Sequence, residues 1–182
     1  MSKMIVKIAG ILLVGIFLLF FTIDVRAEYV LPYPSYMPGH PLYRISRILD
    51  NFNKWWYWGN IARVKYYLKL ADKYIIEAKT LIEYKQYLLA AGALARSNNA
   101  IVSLPVYLEK AKNESKDITT LRSIINDAVL AHEKILFNLS VATPENILWT
   151  PEKSQPTQIH LSDLLNQAII LRTKIKNKIN NL

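Results

Sequence analysis

Residues 29–43 read YVLPYPSYMPGHPLY and separate an apolar leader from the first amphipathic helix. They contain four of the eight prolines, each of which fixes φ at about −65° and pushes the preceding residue toward extended geometry. The stretch is therefore a stiff arm and not a helix. Tyrosine, leucine and methionine alternate with the prolines, and a stiff apolar segment loses little backbone entropy on docking. We expect the arm, residues 28–41, to lie across the helices that follow it.

The segment before the arm, residues 1–27, has the layout of a secretory signal peptide. Lysines precede an uncharged, mostly apolar run over residues 8–23, and the pattern Val25-Arg26-Ala27 supplies a cleavage site between Ala27 and Glu28. Because one membrane span needs about 20 apolar residues, the run could instead remain as an uncleaved anchor. Both interpretations place the domain outside the cytoplasmic membrane, either released or held by its N-terminal helix.

Composition indicates one folded domain. The chain has 182 residues, 52% of them hydrophobic and 20% charged, which is too apolar for a disordered chain. It contains no cysteine, so disulfides, thiolate metal sites, thiol nucleophiles and lipid-modified cysteines are excluded. An exported domain without disulfides must be held together by core packing.

The chain is basic, with a formal net charge of +9. Without residues 1–27, which hold three basic residues and one acidic residue, 20 basic and 13 acidic residues remain, a net charge of +7. This excess favours acidic partners such as anionic lipid, an acidic wall polymer or nucleic acid. It is equally typical of a solvated surface that is merely rich in lysine.

Apolar residues recur at intervals of three and four, which predicts an all-α antiparallel bundle of four to five helices without strands. The helical domain covers residues 42–141, a proline-rich connection covers 142–159, and a C-terminal helix covers 160–182. Pro105 should end or kink the third helix near Ser103. The first helix should present one apolar face to the core, formed by Leu42, Ile45, Ile48, Leu49, Phe52 and Trp56.

Three helix junctions and one polar side chain carry specific predictions. Gly59 suits the left-handed C′ position after the first helix, and Asp117 should cap the fourth. Glu83 to Gln86 is a weak break between the second and third helices. Asn98 occupies the inner stripe of the third helix and should hydrogen-bond across helices.

The aromatic cluster Trp55-Trp56-Tyr57-Trp58 has three alternative explanations. With Tyr33 and Tyr36 of the arm, the residues Trp55, Trp56 and Trp58 could form an aromatic clasp over the core. They could also lie at a membrane interface, where aromatic side chains sit at headgroup depth. Stacking on the sugar rings of a ligand is the third alternative.

The arm and the helices after it resemble a bacterial family of domains of unknown function numbered 5667. Family members begin with a Leu-Pro-Tyr-Pro element followed by Pro-Leu-Tyr at the head of a helix, matched here by residues 31–34 and 41–43. An alanine-marked helix pair follows in the family, which residues 71–90 resemble. The resemblance implies an exported helical domain and brings no catalytic residues.

The sequence predicts no catalytic, cofactor-binding or metal site. The three histidines are far apart in the chain, and His132, beside the inner stripe of the fourth helix, is expected to be a satisfied core residue. Asp72 and Glu77 lack the i, i+3 or i+4 spacing of a paired acid and base and occur among lysines, so we interpret them as solvated. Arg172 belongs to the exposed basic face of the last helix.

These observations predict an exported, non-catalytic helical domain at the cell envelope that acts by binding or as a structural element. Its expected partner is a protein, an acidic envelope polymer or the membrane surface, whereas nucleic acid is disfavoured. A small cell-wall or glycan-directed enzyme and a basic surface nucleic-acid binder are the alternatives. Carboxylates paired in one pocket would favour the enzyme, and a closed core with surface grooves would favour the binder.

Overall fold

The computed structural model describes residues 28–34, 36–145, 147–150 and 155–182; the leader, predicted to be a signal peptide or an anchor, lies outside the described residues. Within these residues the fold is an all-α bundle that follows the proline-rich arm. Its elements are α1 (Pro41–Trp56), α2 (Asn60–Glu83), α3 (Tyr87–Asn113), α4 (Thr119–Ala142), β1 (Ile147–Trp149), β2 (Thr157–Ile159) and α5 (Leu161–Asn180).

Four of the helices form the bundle, and α1 lies outside it. Helix α2 packs most extensively on α3, and α4 packs on α5. Helix α3 also contacts α5, and α2 contacts α4, so the order around the bundle is α2, α3, α5, α4. Each neighbour in this ring buries an apolar stripe of its partner, which is how amphipathic helices remove apolar surface from water.

The bundle core consists of two apolar clusters. The first is built from Val64, Leu68, Ala71, Ala100, Ile101, Leu104, Leu108, Ala111, Ile118, Leu121, Ile125, Ala128, Val129, Ile175 and Ile179. The second is built from Ile75, Ala78, Leu81, Ile82, Ala90, Ala93, Leu94, Leu136, Leu139, Ile159, Leu161, Leu165 and Ala168.

Between the two clusters lie four buried polar residues, one from each helix of the ring. They are Asp72 of α2, Ser97 of α3, His132 of α4 and Arg172 of α5, here called the polar layer. Along its own helix, each of them lies between residues of the first cluster and residues of the second cluster. The polar layer therefore divides the core into two halves.

The helix junctions mostly follow the local sequence signals. The break between α2 and α3 is confirmed: Gln86 N–H donates to Leu81 O at 2.8 Å around Lys85, whose φ is 59°. Asp117 Oδ1 accepts from Thr119 N–H at 2.9 Å at the start of α4, although the N-cap position is occupied by Ile118 and not by Asp117. Gly59 has a φ of 85°, but it is the N-cap of α2 and not the C′ residue of α1.

Of the two outcomes predicted at Pro105, an end or a kink of the helix, the end is wrong. The helix continues to Asn113, and Pro105 is itself buried. A proline inside a helix removes one main-chain hydrogen bond. Burial of Ile101, Leu104 and Leu108 on both sides of it outweighs that loss, because three fully buried aliphatic side chains contribute about 1.5 to 3 kcal/mol each.

The prediction of a strand-free chain is also wrong. Strands β1 and β2 form a short antiparallel hairpin within the proline-rich connection, with Ile147 opposite Ile159 and Trp149 opposite Thr157. Ile159 is buried in the second apolar cluster. Three-residue strands are too short to show an alternating pattern in the sequence, so tertiary packing decides their conformation.

The arm is docked, although fewer of its side chains take part than expected. Tyr29 packs on the first apolar cluster and Met37 on the second. Tyr29 Oη donates to Asp72 of α2 at 2.7 Å, and Glu28 pairs with Lys134 of α4 at 3.3 Å. The arm thus begins over the seam between α2 and α4, the two neighbouring helices of the ring that contact each other least.

Candidate interaction surface

Helix α1 is attached to the bundle by its polar side. Its least exposed side chains include Tyr43, Ser46 and Asp50, which recur at intervals of three and four and therefore share one face. Lys73 Nζ donates to Ser46 Oγ at 2.9 Å and forms an ion pair with Asp50 Oδ2 at 2.5 Å. The contact between α1 and α2 is thus made by hydrogen bonds and charge.

Asp50 is the centre of this attachment. Tyr74 Oη donates to its carboxylate at 3.0 Å, and the Tyr66 hydroxyl donates to its main-chain carbonyl. Burial, reinforced by the negative charge of Asp50, raises the pKa of Tyr74 and of Tyr66. Both hydroxyls therefore remain protonated donors at neutral pH, and the attachment keeps its hydrogen bonds.

A second polar anchor lies near the start of α1. Glu77 Oε1 accepts from Tyr43 Oη and from Arg96 Nη2, both at 2.7 Å, and Arg96 Nη2 also reaches Tyr43 Oη at 3.1 Å. Glu77 is buried, so its prediction as a solvated residue was wrong. Tyr43 lies beside Glu77 while Asp50 lies beside Tyr66, so α1 runs antiparallel to α2, as predicted.

The opposite side of α1 is apolar and faces away from the bundle. This α1 apolar face consists of Leu42, Ile45, Ile48, Leu49, Phe52, Trp55 and Trp56, all of them exposed. Phe52 is 69% exposed and Trp56 is 86% exposed. The prediction that this face packs into the core is wrong. The polar side of α1 finds hydrogen-bond partners on α2 and α3, among them Lys73, Glu77 and Arg96. Because these bonds hold the polar side against the bundle, the apolar side faces outward.

The aromatic clasp is likewise corrected. Tyr33 is 92% exposed, Trp55 83% and Trp58 85%, so these side chains do not cover the core. Tyr36 is also exposed and stacks on His40, with ring centroids 4.9 Å apart. The predicted residues therefore form no shared cluster, and the alternatives that involve an outside partner stay as predictions.

Cations border the α1 apolar face. Arg44 and Arg47 are exposed, whereas Asp50, the single acid of α1, is paired with Lys73. Of the five described helices, α1 separates its apolar and polar sides most strongly. The helix therefore presents to its surroundings an apolar strip with positive charge at its edge.

The polar layer is the other place where titratable groups meet. His132 Nε2 lies 2.8 Å from Asp72 Oδ1, and Tyr29 donates to the other carboxylate oxygen. Burial, and to a lesser extent the nearby Arg172 cation, lowers the pKa of His132, so the ring is neutral at pH 7 and donates its Nε2 proton to Asp72. His132 is fully buried, which confirms that it is a core residue. Only its Nε2 has a hydrogen-bond partner among the described residues, whereas Nδ1 has none, so the expectation that the ring is fully satisfied is wrong. Asp72, predicted to be solvated, is buried instead.

Arg172 completes the polar layer and corrects its assignment to an exposed face. Its side chain is 0% exposed, and burial lowers its pKa to about 10. Arg172 donates to Ser97 Oγ at 2.8 Å and to Asn98 Oδ1. The predicted cross-helix hydrogen bond of Asn98 is thereby confirmed. Because His132 and Arg172 are fully buried and hydrogen-bond across helices, the arrangement is suited to holding the helices in register.

Two of the surface depressions lie next to these features. One, of about 250 Å³, lies between α1, α2 and α3 and is lined by Arg47, Asp50, Tyr67, Tyr74, Arg96 and Asn99. The other, of about 560 Å³, lies between the α2–α3 turn and the hairpin and is lined mainly by Tyr87, Leu88, Leu89, Leu148 and Trp149. Both are open grooves on the surface.

In the part of the chain that the structure describes, no group of three or more His, Cys, Asp or Glu residues could hold a metal ion. None of the described helices combines the length and apolar character that a membrane crossing requires. No protein-family model, curated protein or solved structure matches the chain.

Proposed function

We propose that the chain is an exported, non-catalytic helical binding domain of the cell envelope, and that the α1 apolar face is its binding surface. The observation that carries this proposal is the orientation of α1. Its polar residues Tyr43, Ser46 and Asp50 are used to hold the helix on the bundle, and its apolar residues are left in solvent.

Contiguous apolar surface of this kind is rare on monomeric proteins and marks sites of contact with a protein or membrane partner. The charge at one edge of α1 strengthens the argument, because Arg44 and Arg47 suit a partner that carries negative charge. A protein, an acidic envelope polymer and the membrane surface all satisfy these conditions.

Export is supported by the sequence of residues 1–27, with its lysines, apolar run and cleavage pattern before Glu28. The absence of cysteine is compatible with an oxidising compartment, since no thiol requires protection there. Membership of the family numbered 5667 is proposed on the Leu-Pro-Tyr-Pro and Pro-Leu-Tyr elements and on the alanine-marked helix pair over residues 71–90.

Export is tested by fusing alkaline phosphatase to Leu182 of the full chain. The phosphatase is active only after its disulfides form outside the cytoplasm, so an exported fusion is active and one without residues 1–27 is inactive. The intact mass of the exported protein then separates cleavage after Ala27 from an uncleaved anchor. Equal activity of the two fusions would contradict export.

Binding is tested by capture from an envelope extract with the full chain as bait. Phe52→Ser with Ile48→Ser should abolish the capture of components that the unaltered chain retains, because both side chains lie on the α1 apolar face. Phe137→Ser with Ile170→Ser is the matched control, since these residues are similarly exposed on α4 and α5. If both variants capture the same components, the α1 apolar face is not the binding surface.

A further inference from the structure

Building on the proposed function, we infer that the partner of the α1 apolar face is the surface of a phospholipid bilayer that contains anionic lipid. In this arrangement α1 lies parallel to the membrane plane. Its apolar side enters the boundary between headgroups and acyl chains, and the bundle sits on its polar side. The inference rests on the shape of the apolar face, the charges at its edge and the position of α1 in the chain.

The shape of the α1 apolar face fits a bilayer better than a second helix. A seam between two helices is a narrow stripe of positions spaced by three and four. In α1 the exposed apolar side chains include adjacent pairs, Ile48 with Leu49 and Trp55 with Trp56, so the face is wide. A wide apolar face on a helix whose other side is strongly polar is typical of helices that lie in a membrane interface.

Tryptophan is concentrated at one end of this helix. Trp55, Trp56 and Trp58 are each more than four-fifths exposed, although tryptophan is ordinarily among the more buried residues. Indole combines a large apolar ring with an N–H donor, which favours the depth at which acyl chains meet headgroups. At that depth the three indoles at the C-terminal end of α1 would bury their apolar rings and keep their N–H groups hydrogen-bonded.

The positive charges beside the α1 apolar face favour lipids with anionic headgroups. Arg44 and Arg47 are exposed, and Asp50, the only acid of α1, is neutralised by Lys73. Each arginine close to an anionic membrane surface contributes a factor of about five in binding. The solvent-facing edge of α1 thus complements anionic headgroups.

The position of α1 in the chain points the same way. The uncharged run over residues 8–23 precedes Glu28, and only the docked arm separates Glu28 from α1. Tyr29 and Met37 fix this arm on the bundle, so Glu28, the first described residue, and α1 belong to one compact body. A chain that emerges from a membrane at residue 28 would have α1 within reach of the same bilayer.

The test uses the full chain with Trp149→Phe, which leaves Trp55, Trp56 and Trp58 as the only tryptophans. The protein is mixed with vesicles of phosphatidylglycerol and phosphatidylcholine, with and without brominated acyl chains, and tryptophan emission is recorded. We expect a blue shift and strong quenching by the brominated lipid. Vesicles of phosphatidylcholine alone should give severalfold less quenching.

The variants Ile48→Ser with Phe52→Ser should lower the quenched fraction about tenfold, because less apolar surface leaves water. Phe137→Ser with Ile170→Ser should leave it unchanged. All four positions are exposed in the fold, so helical circular dichroism should be the same for every variant.

Three results would overturn the inference. Co-flotation without quenching would mean that the leader alone binds lipid. If the tryptophan emission is already blue-shifted without vesicles and does not change when they are added, the α1 apolar face is covered by the leader of the same chain or by a second copy. Sedimentation distinguishes these two cases, because only a second copy doubles the mass. Absence of quenching together with α1-dependent capture from envelope extract would assign the face to a protein or polymer, and the proposed function would stand. If capture is also independent of α1, both proposals fail.

Discussion

At the scale of single residues, the fold depends on polar side chains that are buried together. Asp72 illustrates this, because its two oxygens accept from Tyr29 of the arm and His132 of α4, so one carboxylate joins three elements. A buried carboxylate without donors would be strongly destabilising, whereas hydrogen-bonded it fixes the relative position of its partners. Residues of this kind determine register more than they determine total stability.

His132 should make stability depend on pH. Its pKa is lowered in the folded state from the ordinary value of 6.5, chiefly by burial. Below about pH 6.5 the unfolded chain therefore binds a proton that the folded chain does not bind, and the free energy of unfolding falls as the pH drops, by at most about 1.4 kcal/mol per pH unit. Urea unfolding between about pH 7 and pH 5 measures this slope.

The slope of the free energy of unfolding against pH is expected to arise from His132, and substitution tests this assignment. His132→Gln should flatten it, whatever its effect on stability at pH 7. His160→Gln serves as the control, because His160 is exposed. A slope that is the same in the unaltered chain and in His132→Gln would show that other groups cause the dependence.

At the scale of elements, the arm and α1 are attached by a few named contacts, whereas α2 to α5 are attached by extensive packing. The arm places Tyr29 and Met37 on the two apolar clusters, and α1 uses Asp50 and Tyr43. Elements held by few buried contacts open at lower free energy than the core. The arm and α1 should therefore respond individually to single substitutions.

Tyr29→Phe should destabilise the fold by about 1 to 2 kcal/mol, because Asp72 loses one of its donors while it stays buried. Tyr33→Ala should change stability by less than about 0.5 kcal/mol, because Tyr33 lies in solvent. Urea unfolding of both variants measures the contrast. Equal effects would mean that the arm is not held by Tyr29.

Asp50→Ala should loosen α1 without unfolding the bundle. Lys73 and Tyr74 would lose their shared acceptor, a loss of about 1 to 3 kcal/mol that falls mainly on the attachment of α1. Hydrogen exchange followed by mass spectrometry should show faster exchange in α1 and unchanged exchange in α2 to α5. Asn51→Ala, at the neighbouring exposed position, should leave both rates unchanged.

At the scale of the whole molecule, the polar layer divides an otherwise apolar core. Each helix of the ring contributes one member, so a shift of any helix along its axis would separate hydrogen-bonded partners. Buried polar groups in helical assemblies can specify register at the expense of stability. We expect the polar layer to act in this way, since no carboxylate of the described residues is hydrogen-bonded to the buried Arg172.

Arg172→Met should therefore leave the free energy of unfolding unchanged or raise it by about 1 to 3 kcal/mol, because the desolvation of a charge is no longer required. Ser97 keeps its bond to the carbonyl of Ala71, at 2.9 Å, and is not orphaned. Urea unfolding measures the difference. A loss of stability of more than about 2 kcal/mol would show that Arg172 is a net stabilising member of the core.

The sequence by itself determined the helical class of the chain, most helix boundaries and the docked arm. Apolar spacing of three and four is a local property that only a helix satisfies, and prolines restrict their own backbone wherever they occur. For the same reason the breaks at Lys85 and Asp117 and the burial of His132 could be predicted. The cross-helix bond of Asn98 followed from its place on the inner stripe.

Only the tertiary structure decided which side of α1 faces the bundle. The sequence pattern of an amphipathic helix shows that one face is apolar and the other polar. It does not show which of the two faces contacts the rest of the protein. Here Glu77, Lys73, Tyr66 and Tyr74 present polar groups to α1, and hydrogen bonds to them outweigh the burial of its apolar face. The candidate interaction surface could therefore not be recognised from α1 alone.

The burial of Asp72, Glu77 and Arg172 was decided in the same way. Each charged side chain lies one position from apolar neighbours, and a one-residue difference rotates a helical position by about 100°. Whether such a group faces solvent or core depends on partners 19 or more residues away, among them Arg96, Ser97 and His132. Long-range hydrogen bonds leave no local signature, which is why these residues were predicted to be solvated and are buried in the fold.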